Sequence, residues 1–246
     1  MTAAGEIEGQ DVQRGTLSIA VAQPACVASD PAANARTHAD LVRRAASRVV
    51  VFPEMSLTGY ELQAPVVDLD DELWRPLVQA CAQRGAVALV GAPVADGSGA
   101  EFIATVAVSG EGVRVAYRKA WPGSEEAARF SPGPGPAVVQ VDGWRIGLGI
   151  CRDTGVAEHV EATAALGVDV FAAGLADVPE DSAVQRERAE RIARACRAHV
   201  AFASFAGPTG RGYERTAGGS AVYSPAGSVL AGCGSGTGEI ATAVIG

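Results

Sequence analysis

Short, wholly apolar runs alternate along this chain with longer segments in which apolar positions recur at helical spacing. LSIAVAQ (17–23), VVVFPE (49–54) and AVALVGAPV (86–94) are brief, rich in β-branched residues and bounded by turn residues, so they predict buried strands. Between the first two lies DPAANARTHADLVRRAASR (30–48), whose spacing predicts a helix with Asp30 as its N-cap. A second helix is predicted over 70–84. FIATVAVSG and VRVAYRKA flank Gly110-Glu111-Gly112 and predict a hairpin, followed by a loop rich in Gly, Pro and Glu over 121–136. AVVQVDGWRIGLGIC (137–151) predicts two strands through a turn at Asp142-Gly143. A helix near 156–166, a strand at 168–174 and a long Arg-rich helix at 182–199 follow. AFASFAG, GGSAVYSPAGSVLAG and IATAVIG close the chain as further strands.

This order predicts an α/β sandwich with helices covering two packed sheets. The hairpins in the middle of the chain fit a purely parallel, doubly wound sheet less well. Residues 1–15 read as a disordered tail and 16–246 as a single domain, with no internal repeat or linker.

The 246 residues carry a formal net charge of -8, which argues against a surface built for nucleic acid or an anionic membrane. In the Arg-rich segment, Glu187 and Glu190 interleave with the arginines, the pattern of a solvated or subunit-facing helix. The first residues lack the basic start and apolar stretch of a signal peptide, so a cytoplasmic location is the expectation. The cysteines (Cys26, Cys81, Cys151, Cys196, Cys233) contain no CxxC pair, and His38, His159 and His199 offer no metal-ligand spacing. Neither a metal nor a cofactor is expected. Of the 20 basic residues only Lys119 is lysine. Arginine codon bias accounts for that equally well as a role for a compact ammonium that a planar guanidinium cannot fill.

Three segments each end an apolar strand on a reactive residue: VVVFPE on Glu54, VAYRK on Lys119 and IGLGIC on Cys151. Strand ends in α/β folds are where side chains converge on a crevice. A carboxylate, an amine and a thiol are the parts of covalent acyl transfer. Taken singly, each has an ordinary structural explanation, the cysteine as a small buried hydrophobe and the charged residues as solvated loop positions.

Together, however, these motifs resemble the nitrilase superfamily of carbon–nitrogen hydrolases over about residues 16–246. VVFPEMSLTGY is similar to the family's general-base segment (Glu54), YRKAW followed by FSPG to its lysine segment (Lys119), and GICRDTGVAEH to its nucleophile segment (Cys151), with Asp153 and Glu158 in the expected places. GGSAVYSPAGSVLA is like the family's late strand pair. The resemblance implies a four-layer αββα sandwich, a homodimer or larger homo-oligomer, and no cofactor or metal. It also implies a second active-site acid four positions before Phe130, which is Glu126, with neighbouring Glu125 as the alternative.

The activity it implies is cleavage of a non-peptide carbon–nitrogen bond through a cysteine thioester. A small aliphatic amide or ω-amide, giving acid plus ammonia, is the first expectation; an N-carbamoyl compound is the second. A catalytically silent, nitrilase-like binding or scaffold protein is the competitor from another class. Arg152 after the nucleophile and Arg129 before Phe130 suggest a fork for a substrate carboxylate, or else structural ion pairs.

Overall fold

A computed structural model describes residues 15–210 and 212–246. The tail expected over 1–15 therefore lies, except for Gly15, outside the described residues. Two six-stranded sheets are present. The first contains β1 (Leu17–Ala22), β2 (Val49–Val51), β3 (Val87–Ala95), β4 (Glu101–Ser109), β5 (Gly112–Arg118) and β12 (Ile240–Ile245), in the order β12-β1-β2-β3-β4-β5. The second contains β6 (Val138–Val141), β7 (Trp144–Ile150), β8 (Val170–Leu175), β9 (His199–Ser204), β10 (Ala221–Tyr223) and β11 (Val229–Gly232), in the order β11-β10-β9-β8-β7-β6.

Each sheet has a parallel centre and antiparallel edges. β1, β2 and β3 run parallel through α1 (Pro31–Ala45) and α2 (Arg75–Arg84); β7, β8 and β9 run parallel through α3 (Ala157–Ala165) and α4 (Ser182–Cys196). The hairpin partners add antiparallel strands outside these centres. The mixed sheets expected from the central hairpins are thus observed.

Alternation explains the layering. Leu17, Ile19 and Val21 of β1 pack in one cluster with Ile146, Leu148 and Ile150 of β7, between the sheets. Ala20 and Ala22 of β1 join Ala39 and Val42 of α1 and Leu77 of α2 on the outer face. Phe171, Ala173 and Leu175 of β8 meet Val160 of α3 and Ile192 of α4 on the opposite outer face. Strands buried on both sides read as continuous apolar runs, while the two faces still segregate with period two. The result is the αββα sandwich that the sequence predicted.

Three local boundaries differ from the sequence expectation, each for a visible reason. Asp30 caps α1 as expected, its carboxylate accepting from Ala33 N at 2.8 Å, but α1 ends at Ala45 because Ala46 turns left-handed. The helix expected over 70–84 begins as a 3-10 turn at Glu72–Trp74 and becomes α-helical at Arg75. The Arg-rich helix stops at Cys196 because Arg197 is left-handed (φ 51°), and His199 already opens β9. Among the described residues no helix is long and apolar enough to cross a membrane.

Candidate active site

Glu54 lies three residues beyond β2, on a segment pinched between the two sheets. A Cβ on Gly174 of β8 would stand 2.6 Å from Glu54 N and 2.7 Å from Phe52 O, and one on Gly91 of β3 would collide with Pro53 O and Met55 N. The backbone carrying Glu54 therefore fits only because both neighbours lack side chains. Met55 then adopts a left-handed φ of 50°, a conformation that costs free energy in a non-glycine residue and clusters at functional sites.

Lys119 follows β5 and is 1% exposed. Its Nζ donates to Glu54 Oε1 at 2.7 Å and to Glu126 Oε1 at 2.8 Å. Glu126 reaches inward because residues 126–128 of the expected loop form one 3-10 turn; it also accepts from the Tyr60 hydroxyl and from Gly123 N. Glu125, beside it, is exposed. The structure thus brings Glu54, Lys119 and Glu126 into direct contact and leaves Glu125 outside.

The two carboxylates on this ammonium are held at different protonation tendencies. Burial pushes Glu54 up to about 8, against the pull of Lys119 and with Glu126 adding to the rise. Burial acts on Glu126 in the same direction, but Lys119, Tyr60 and Gly123 outweigh it and hold the carboxyl below the ordinary glutamate range. Burial alone would lower the Lys119 amine; Glu54, Cys151 and Glu126 reverse this and hold it above the ordinary lysine range. Paired acids with separated tendencies divide naturally into a proton acceptor and a fixed charge. Glu54 Oε2 has no hydrogen-bond partner among the described residues, so one buried lone pair of the higher-pKa acid is open.

Cys151 is the first residue past β7 and stands at φ 40°, on a tight 3-10 turn over Cys151–Gly155. Asp153 fixes this elbow: its carboxylate accepts from Ile150 N at 2.9 Å, from the Tyr117 hydroxyl at 2.8 Å and from Trp121 N at 3.0 Å. The Tyr117 oxygen in turn accepts from Ala120 N at 3.0 Å. One buried acid therefore ties the cysteine turn to the turn following Lys119. Burial and then Glu54 push the Cys151 thiol well above the ordinary range, and Lys119 only partly offsets them. A thiol held above its ordinary range favours its protonated form, which suits a base that takes the proton as sulfur attacks.

Two side chains near the cysteine were not singled out from the sequence. Asp177, two residues past β8, sets its Oδ1 4.0 Å from Cys151 Sγ, and Tyr213 packs edge-on against Tyr60 with centroids 4.7 Å apart. Asp177 follows an apolar strand in the same way as Glu54, Lys119 and Cys151, so that criterion could have found it. Of the two readings offered for the arginines, Arg129 takes the structural one. Arg129 is engaged with Glu101 and donates to the carbonyls of Leu62 and Ala64 at 2.6 and 2.7 Å, while the Arg152 side chain is exposed.

A two-sheet sandwich that gathers a thiol, an ammonium and a glutamate from strand ends, with a second glutamate from a loop turn, is the architecture of a covalent-intermediate hydrolase. The sequence profile of the carbon-nitrogen hydrolase family matches residues 18–246, and the chain belongs to that family. A Pseudomonas protein named (R)-stereoselective amidase is 32% identical over 190 residues, covering 74% of this chain and 67% of that protein. A mutant of the amidase from Nesterenkonia sp. AN1, showing Michael addition of acrylamide at its active-site cysteine, superposes with a TM-score of 0.81 at 25% identity, over 92% of each chain. A Saccharomyces cerevisiae member of the nitrilase superfamily shares the fold at TM-score 0.83 and 20% identity, over 94% of this chain and 90% of that one.

Proposed function

We propose that this carbon–nitrogen hydrolase cleaves small amides to acid and ammonia through a thioester on Cys151. The observation that carries the reading is the open Oε2 of a buried, high-pKa Glu54 on the ammonium of the chain's one lysine, beside a thiol on a left-handed elbow. The names of the Pseudomonas and Nesterenkonia relatives support an amide over a nitrile or a carbamoyl compound.

In the proposed sequence Glu54 accepts the Cys151 proton as sulfur attacks the amide carbon. Burial raises the Glu54 carboxyl to about 8, far closer to a thiol than an ordinary glutamate, which makes it a stronger base for this proton. Lys119 and the backbone N–H of Arg152 hold the oxyanion. Protonated Glu54 returns the proton to nitrogen, ammonia leaves, and the thioester remains. Glu54, again a carboxylate, takes a proton from water; the resulting hydroxide adds to the thioester, and thiol and acid are released. Glu126, anchored by Tyr60 and Gly123, keeps Lys119 charged and aimed.

Ammonia release from a series of aliphatic amides tests this, with intact-mass detection of an acyl adduct in a rapid quench. The expected result is turnover by the native protein, an acyl adduct on Cys151, and loss of both in Glu54→Gln. Binding without ammonia release or adduct would favour the silent binding protein instead.

A further inference from the structure

Four buried carboxylates belong to the candidate site, and three of them have a charged or multiple hydrogen-bond partner within the protein. Glu54 and Glu126 share Lys119, and Asp153 accepts from three donors. Asp177 differs. It is 8% exposed, its Oδ1 faces Cys151 Sγ at 4.0 Å, and its Oδ2 has no hydrogen-bond partner among the described residues. Its backbone is fixed where Ala217 N donates to Asp177 O at 2.8 Å.

A buried carboxylate with an unanswered oxygen is costly, and such groups in native proteins call for a specific explanation. Among the described residues no cation stands within ion-pair distance of Asp177; Arg188 is felt only through space. Burial pushes the Asp177 carboxyl above the ordinary aspartate range, so a cation brought to it would favour its charged form, whereas a substrate carboxylate would meet carboxyl groups that, among the described residues, only Lys119 pairs with directly. Tyr213 borders the same space: burial pushes its phenol up to about 12, with added contributions from the charges of Cys151, Glu54, Asp177 and Glu126. A buried carboxylate with an open oxygen, close enough to a tyrosine for its charge to be felt there, is a setting that suits an organic ammonium.

Resting on the amide-hydrolysis reading, we propose that Asp177 is a specificity residue that binds a cationic nitrogen of the substrate, so that the preferred substrates are α- or β-ammonium amides. The geometry sets the spacing. An attacked carbon lies roughly 3–3.5 Å from the sulfur, and a charge-assisted hydrogen bond places the nitrogen about 2.8 Å from the carboxylate. With Oδ1 4.0 Å from Sγ, an ammonium held by the carboxylate lies a short reach from the attacked carbon, within the two or three bonds that separate the nitrogen of an α- or β-ammonium amide from its carbonyl carbon.

The test uses binding, so that it stands apart from turnover. Dissociation constants are measured by calorimetry at pH 7 on Cys151→Ala protein for two isosteric pairs, alaninamide against isobutyramide and β-alaninamide against butyramide. In each pair an ammonium replaces a methyl group. In at least one pair the cationic member is expected to bind about tenfold or more tightly than its neutral isostere. Adding Asp177→Asn to the Cys151→Ala background should reduce that preference to within about threefold. The inference is overturned if the neutral members bind as well or better, if neither member binds, or if the preference survives in folded Asp177→Asn protein. Ammonia release from neutral amides by the native protein reads the reaction separately, so failure of one idea does not register as failure of the other.

Discussion

The two sheets follow the same plan and use their strand ends differently. β1 and β7 each pair antiparallel with an edge strand and parallel with the next strand in sequence. The residue after β1 is Gln23, buried, with its amide donating to the carbonyls of Gly236 and Gly234 and its oxygen accepting from Ser220 N. The residue after β7 is Cys151, at a strained φ, its sulfur committed to no close partner. Past β2 stands Glu54, tied to Lys119 through one oxygen with the other open; past β8 stands Asp177, also with one oxygen open. Where polar atoms at a strand end are all answered, the side chain holds the fold together. At Glu54 and Asp177, where one oxygen is left open beside the cysteine turn, a position is kept for something that is not protein.

The largest effect expected from a substitution that keeps the charge is at Lys119. It lies in a sealed space between two carboxylates, and a guanidinium is longer, planar and unable to act as a compact point charge. Lys119→Arg is expected to cut kcat by about 10²–10³-fold, the cost of losing one preorganised oxyanion donor. Overpacking should lower stability by only about 1–3 kcal/mol. Steady-state kinetics alongside a thermal melt check this. A folded variant within about tenfold of native kcat would return Lys119 to the status of a codon-bias survivor.

Much of this site was legible in the sequence because its parts are local. A short apolar run ending in Glu, Lys or Cys carries its own signal, and period-two burial explains why VVVFPE and IGLGIC lie where they do. Glu126 required the family spacing, since an acidic pair in a Gly/Pro-rich loop gives no sign of which member turns inward; the 3-10 turn at 126–128 decides it. The supporting residues were not legible. Gly91 and Gly174 admit the Glu54 segment through contacts that cross between strands and sheets, and Tyr117 meets Asp153 across 36 residues. Helix ends were missed by up to three residues because Ala46 and Arg197 take left-handed conformations that nothing in their side chains requires.

The second effect is on pH dependence. Glu54 must be a carboxylate to accept the thiol proton, and its pKa is raised to about 8. For a neutral amide, kcat/KM should therefore fall on the acid side of about pH 8, by roughly tenfold per unit, so that pH 6 lies about a hundredfold below the plateau. Stability should run the other way. A folded pKa above the unfolded value near 4.5 means the native state holds a proton that the unfolded chain has lost. Glu54's contribution to stability is full below the unfolded pKa and is lost as pH rises through about 8. Rate profiles and denaturant melts over pH 6–9 should show activity rising while this contribution declines. A flat kcat/KM across that range would remove Glu54 as the titrating base.

The smallest effect on catalysis is expected at Gln23, and setting its truncation beside that of the equivalent Cys151 is the most direct test of the comparison. Gln23 answers Ser220 N at 2.9 Å and Gly236 O at 2.7 Å, with a weaker bond to Gly234 O at 3.3 Å. Gln23→Ala leaves a buried N–H and two carbonyls unanswered, at a cost of about 1–3 kcal/mol for such a group, so a total loss of about 2–4 kcal/mol is expected. For a chain of this size that is a fall in Tm of very roughly 5–15 °C. The bonds lost run to the segment from Ser220 to Gly236 and to none of Glu54, Lys119 or Cys151, so kcat/KM of the folded fraction should stay within about threefold of native. Cys151→Ala should do the opposite. It removes one half-buried sulfur that satisfies no strong hydrogen bond and keeps a residue of the same backbone preference at φ 40°, so stability should change by about 1 kcal/mol or less while ammonia release disappears. If Gln23→Ala loses activity without losing stability, or Cys151→Ala unfolds the protein, then open and answered polar atoms do not separate catalytic from structural strand ends here, and the contrast between the sheets fails.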